Sequence, residues 1–154
     1  EPTMQPVTLQ TIQAKQTELA MMIMQFKDQQ ESREIDILDC TITLQPGEHY
    51  AGAVLDTDGE HLHHLVLMAE VPDSKLAWQS AMDWATSVGG ALPTHQEQAL
   101  LSANCKPHLK PEWHWSSETH ADNASYAWGC YFHGGYQDGY DKSYEGSAVA
   151  VRRV

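Results

Sequence analysis

The chain has 154 residues, 42% of them apolar, and a formal net charge of −12 with a pI near 5.0. That apolar content excludes a disordered chain and suits one domain, or a small domain with an appendage. No apolar run approaches the ~18 residues that a membrane-spanning helix needs, and so acidic a surface repels phosphate backbones, so direct nucleic-acid binding is not expected.

The first element follows a short lead in which Met4 is a candidate native start and no secretory leader is visible. From Thr8 to Glu34 there is no glycine or proline, and Gln, Ala, Met and Leu dominate, which predicts a helix with Thr8 as its N-cap. Leu9, Ile12, Leu19, Ile23 and Phe26, with Gln16 in the remaining slot, repeat at spacings of 3 and 4, a heptad seam. Residues 1–34 are therefore expected to be an N-terminal oligomerisation helix, making a homotrimer or a dimer through residues 8–30. An amphipathic helix packed on its own domain is the alternative, and Met21, Met22 and Met24 widen the apolar face in its favour.

Residues 35–72 read as strands. Alternation at Ile35 and Ile37 changes phase to Leu38, Cys40, Ile42 and Leu44, which predicts a bulge inside one strand. Pro46-Gly47 and Asp56-Thr57-Asp58-Gly59 are turns, the second lacking the later ligands of a calcium loop. Residues 35–74 hold eight acids and no Lys or Arg, so Asp36, Asp39, Glu48, Asp56, Asp58 and Glu60 form a candidate acidic surface for a basic partner. His61 and His63 fall on one predicted strand face, where two metal ligands are conceivable. A solvated strand is the plainer reading, and no metal or cofactor is assigned.

A second helix is expected over "DSKLAWQSAMDWATSV", capped by Asp73 or Ser74 and ended by Gly89-Gly90. Leu92 returns to the core, Pro93 sets direction, and Thr94 with Glu97 makes a capping box for a third helix. After Pro111, Trp113 and Trp115 share one strand face. Tyr126, Trp128, Cys130 and Phe132 share another, and "SAVAVRRV" closes the chain as a strand. Trp78, Trp84, Trp115 and Trp128 are expected to be largely buried. The intervening segments, 119–125 and 134–146, read as polar loops. Their Tyr136, Tyr140 and Tyr144 with His120, Asp122, Asn123, Asp138 and Asp141 have the composition of an adaptable recognition surface. Cys40, Cys105 and Cys130 form no C-x-x-C pair. Free thiols are expected, and a cytoplasmic or virion-associated setting is favoured over a disulfide-bonded secreted one.

Trp78, Ala81, Ala85, Gly89-Gly90, Leu92-Pro93-Thr94, Glu97, Trp115-Ser116-Ser117-Glu118, Tyr126-Ala127-Trp128 and Val151-Arg152 together resemble the Lcl C-terminal-like family over roughly residues 48–154. That family has a C-type-lectin-like fold and occurs in bacterial surface, phage and prophage proteins. The resemblance implies an α+β fold of two helices and a twisted antiparallel sheet over 35–154, preceded here by the N-terminal helix. Its members are mostly binding modules, some of them trimeric adhesins for sulfated polysaccharides. This chain departs from the adhesins in its acidity, and Gln45-Pro46-Gly47 lacks the calcium-lectin sugar signature. Cys105 and Cys130 do not match the paired cysteines of formylglycine-generating enzymes. No nucleophile elbow or phosphate-cradling loop is present. The expected function is a non-enzymatic phage, prophage or bacterial binding protein for a protein or glycan, using the polar Tyr-rich loops. The alternative is an acidic inhibitor that fills the basic, nucleic-acid-binding groove of a host protein.

Overall fold

Nothing in the sequence interrupts a helix after Thr8, and α1 runs from Leu9 to Gln30, with Thr8 Oγ1 accepting from Thr11 N at 3.2 Å. The computed structural model describes residues 7–37 and 40–154, apart from the side chains of 35–37; Met4, Leu38 and Asp39 lie outside them. Among the described residues the protein is α+β, with three α-helices and three small antiparallel sheets rather than one sheet. No described helix is both long and apolar enough to cross a membrane.

Strands β1 (Arg33–Ile37) and β2 (Cys40–Leu44) pair antiparallel, with Ile37 opposite Cys40. The expected bulge is therefore a chain reversal: the phase changes because the strand turns back, not because it kinks. Ile42 and Leu44 are buried against Val66, so the hairpin lies on the second sheet. That sheet has the order β3 (His49–Leu55), β4 (His61–Leu67), β8 (Val151–Arg153). Asp56 Oδ1 accepts from the amides of Asp58 and Glu60, both at 2.9 Å, which closes the β3–β4 turn. Gly52, at φ +129°, sits at a register shift in β3. A side chain there would be strained by that backbone and would press on Leu100.

Helix α2 (Trp78–Ser87) starts later than expected. Its N-cap is Ala77, with no side-chain cap, so neither Asp73 nor Ser74 serves. It ends as the sequence implies, with Gly89 at φ +83° and Gly90 N donating to Ala85 O. Helix α3 (His95–Asn104) carries the full reciprocal capping box of Thr94 and Glu97, and a 3₁₀ turn (Lys106–His108) follows it. The third sheet has the order β5 (Trp113–Thr119), β6 (Tyr126–Tyr131), β7 (Tyr136–Asp141). Two distant stretches of sequence meet at the start of α3: Ser117 N donates to Pro93 O, and His95 N donates to the Glu118 carboxylate.

The core has two main parts. Leu101 and Cys105 of α3 pack with Ala51, Val54, Leu65 and Leu67 on one side and Cys130 and Phe132 on the other, so α3 is wedged between two sheets. Ala81 and Ala85 of α2 cover the opposite face of the third sheet, against Trp115 and Ala127. Trp115 is fully buried, and its Nε1 donates to Leu76 O at 2.8 Å. Trp78, Trp84 and Trp128 are less enclosed than Trp115 but keep only a minor part of their surface exposed. Trp78 and Trp84 pack at the edge of the core, and Trp78 Nε1 donates to Ser116 O. All three cysteines are free, and burial pushes the Cys105 and Cys130 thiols up to about 11.

Candidate functional site

The register of the third sheet decides which candidate side chains stand together. Tyr131 pairs with Tyr136, Gly129 with Asp138 and Ala127 with Tyr140. Side chains alternate along a strand, so Tyr136, Asp138 and Tyr140 share one face. Gln137, Gly139 and Asp141 take the other, with Trp128. The expected loop over 134–146 is therefore half strand, because β7 pairs along its whole length with β6. Its turn-rich composition hid it: only the tyrosines favour a strand.

On the first face Tyr140 is structural. Its ring stacks on Trp113 at 4.1 Å and meets Trp115 edge-on. Burial, with Asp138 next, raises its phenol pKa. Tyr136 is 60% exposed and stacks on Tyr131. Tyr144, 61% exposed, follows in the turn after β7. Asp141 caps that turn, accepting from Ser143 N and Oγ; the hydroxyl bond is the main cause of its lowered pKa. On this face and in the turn after it the exposed recognition candidates are Tyr136, Asp138, whose carboxylate accepts from Gly139 N, and Tyr144.

On the other face His120 stacks on Trp128 at 4.6 Å, and His95 meets the same indole edge-on at 4.7 Å. A side chain on Gly139 would press tightly on the His120 ring. Asp122 and Asn123 are exposed in the adjoining turn. Asn123 Oδ1 accepts from Ser125 N, and Asp122 N donates to His120 Nδ1. The structure therefore divides the eight recognition candidates between two sides of one sheet and the turns at its ends. The His95–Trp128–His120 group was missed in the sequence because its members are far apart along the chain.

The acidic candidates divide as well. Glu48 is not a surface acid. It is 5% exposed, and Arg152 donates to its carboxylate through Nε at 2.9 Å and Nη2 at 2.7 Å. Burial alone would raise its pKa, but the Arg152 hydrogen bonds, the Gln45 amide and the Arg152 charge outweigh that and hold it below the usual range. Asp56 is occupied in its turn. Asp58 and Glu60 are exposed. The Asp36 side chain and Asp39 lie outside the described residues.

The histidines are not arranged as the strand period suggests. A register shift between Val54 and Leu55 brings His61 beside His64, with ring centroids 4.4 Å apart, while His63 turns towards α3. His63 Nε2 lies 2.8 Å from Glu97 Oε1, and Arg153 grips the same carboxylate at 2.7 and 2.8 Å. Among the described residues no three His, Cys, Asp or Glu side chains are grouped to hold a metal ion. Glu97 is 1% exposed. Burial opposes its charge, but Arg153, the Thr94 amide and His63 together hold its pKa down. The capping box located Glu97 in the sequence; its pairing with Arg153, which ties α3 to the last strand, was not visible there.

No family model matches the chain, and no curated protein matches it.

Proposed function

We propose that the protein is a non-enzymatic binding protein of phage, prophage or bacterial surface type. In this reading residues 35–154 form a C-type-lectin-like domain of the Lcl C-terminal-like kind, and α1 joins copies into a homo-oligomer. The observation that carries it is the exposure of two tyrosines, Tyr136 at the start of the edge strand β7 and Tyr144 in the turn that follows it, with Asp138 exposed on the same strand as Tyr136. Such side chains offer contact area at low entropic cost, and neighbouring carboxylates offer directional hydrogen bonds. The ligand is a protein or a glycan. The apolar seam of α1 supports the oligomer: Leu9, Ile12, Leu19, Ile23 and Phe26 are all exposed within one chain.

A second reading, an acidic protein that occupies a basic groove of a host protein, is favoured by the exposure of Asp58 and Glu60. The burial of Glu48 weakens it.

One experiment separates the two. Partners are captured from host lysate on the full chain, on Tyr136→Ala/Tyr144→Ala and on Asp58→Asn/Glu60→Gln, at low and high salt. Tyrosine-dependent, salt-tolerant capture supports the first reading. Acid-dependent capture that vanishes with salt supports the second.

A further inference from the structure

A cleft of about 210 Å³ opens between the segment after β4, the start of β5 and the segment before β8. It is separate from the tyrosine surface. Its apolar wall is Val71, Pro72 and Val149, and its polar wall carries Glu112, His114 and Ser147, with Lys75 and Lys110 also lining it. The lysines stand out in so acidic a chain. Arg152 and Arg153 are committed to buried carboxylates, whereas the Lys110 ammonium forms no close ion pair or side-chain hydrogen bond among the described residues and acts on Glu112 only through its charge. Lys75 lies 3.6 Å from Glu112 Oε2. Ser147 Oγ donates to that same oxygen, and this bond is the first cause of Glu112's lowered pKa. With Glu112 ionised, the two lysines leave one net positive charge.

His114 is 2% exposed, and burial lowers its pKa to about 4, so it is neutral at physiological pH. Its Nδ1 faces the Glu112 backbone oxygen at 2.9 Å. A carbonyl only accepts, so Nδ1 carries the proton and Nε2 keeps its lone pair. Nε2 has no hydrogen-bond partner among the described residues. The cleft therefore combines a cation without a close ion pair, a fixed acceptor and an apolar wall.

We propose that this cleft binds a small organic monocarboxylate that carries a hydroxyl or amino group. The carboxylate lies against Lys110 and Lys75, the hydroxyl or amine donates to His114 Nε2, and the carbon skeleton rests on Val71, Pro72 and Val149. The single net positive charge favours a ligand with one carboxylate over one with two. The volume is below that of drug-sized sites, which limits the ligand to roughly ten non-hydrogen atoms.

The test is a titration of the full chain with lactate, 3-hydroxybutyrate, serine, malate and butyrate. It is followed by calorimetry and by the His114 ring ¹⁵N resonances. At least one of the first three should saturate with a Kd near or below about 1 mM and shift Nε2. Butyrate, lacking the hydroxyl, should bind about threefold to tenfold more weakly than 3-hydroxybutyrate. Malate should bind no better than lactate. Lys110→Gln, at an exposed position, should weaken binding about twofold to fivefold, while Lys106→Gln should leave it unchanged. The proposal falls if none of the acids saturates, if butyrate binds as well as 3-hydroxybutyrate, or if binding is indifferent to Lys110→Gln.

Discussion

Helices α1 and α3 are both marked at the start by a threonine cap, and they relate to the fold in opposite ways. α1 has 22 residues and buries none of them. α3 has 10 and buries Glu97, Gln98 and Leu101, wedged between two sheets. The longer helix carries the plainer apolar repeat, yet the short one organises the molecule. Helical stability in a folded protein comes from packing more than from propensity. What a helix does is set by what lies against it: sheets for α3, and for α1 nothing among the described residues that buries it. The contrast breaks if damage to α1 unfolds the domain, or if damage around α3 is tolerated.

The largest effect should come from Trp115, which is fully buried beside α2. Trp115→Ala should cost about 3–5 kcal/mol, seen as a lower denaturant midpoint. A midpoint near that of the unaltered protein would show that the α2 side of the sheet is not part of the core.

Next is the carboxylate that α3 holds out to the last strand. Glu97→Gln leaves Arg153 facing a neutral amide, at a cost of about 2–4 kcal/mol, moderated because Arg153 keeps contact with water. The same residue sets a pH dependence. The folded pKa values of Glu97 and Glu48 are both depressed from 4.5. Their stabilisation is therefore complete above about pH 4.5 and is lost as the pH falls through the folded values. Thermal unfolding measured from pH 7 to pH 3 should show a steep acid loss, shallower in Glu97→Gln. Equal slopes would remove Glu97 from the acid response.

Third is Gly146, where an added methyl would enter the ring of Trp113. Gly146→Ala should cost about 1–3 kcal/mol by overpacking, and it should disturb the near-ultraviolet signal of the Trp113–Tyr140 stack. An intact signal and midpoint would mean that the ring moves aside freely.

Local chemistry made much of this legible from the sequence. Gly89, Thr94 and Glu97 act through neighbours within four residues, so the helix boundaries they set could be read directly. What failed to show was pairing at a distance. Glu48 looked like a surface acid because Arg152, its partner, is 104 residues away. Segment 136–141 looked like loop because its strand character comes from the β6 ladder rather than its own residues. The recognition candidates were identified by type, but only the register shows that Tyr136 and His120 stand on opposite faces. His114, between two tryptophans, gave no sign of its cleft: the segments that complete it are more than 30 residues away on either side.

The smallest effect on folding should come from α1, and it sharpens the comparison most. Leu19 and Ile23 occupy adjacent seam positions, 57% and 48% exposed. Leu19→Glu/Ile23→Glu leaves helix propensity nearly unchanged and removes no contact that the core uses. All five tryptophans lie between residues 78 and 128, so their fluorescence reports the core alone. Its unfolding free energy should move by less than about 0.5 kcal/mol, as for a surface change. Assembly should respond in the opposite sense. The seam is the part of a coiled coil that excludes water, and two charges per helix placed there repel each other across every copy. Sedimentation equilibrium should show the unaltered chain as a trimer or dimer at tens of micromolar and the variant as a monomer. A monomeric unaltered chain would end the oligomer reading. A variant that loses core stability as well would show that α1 packs on its own domain in solution, and the two helices would then be alike after all.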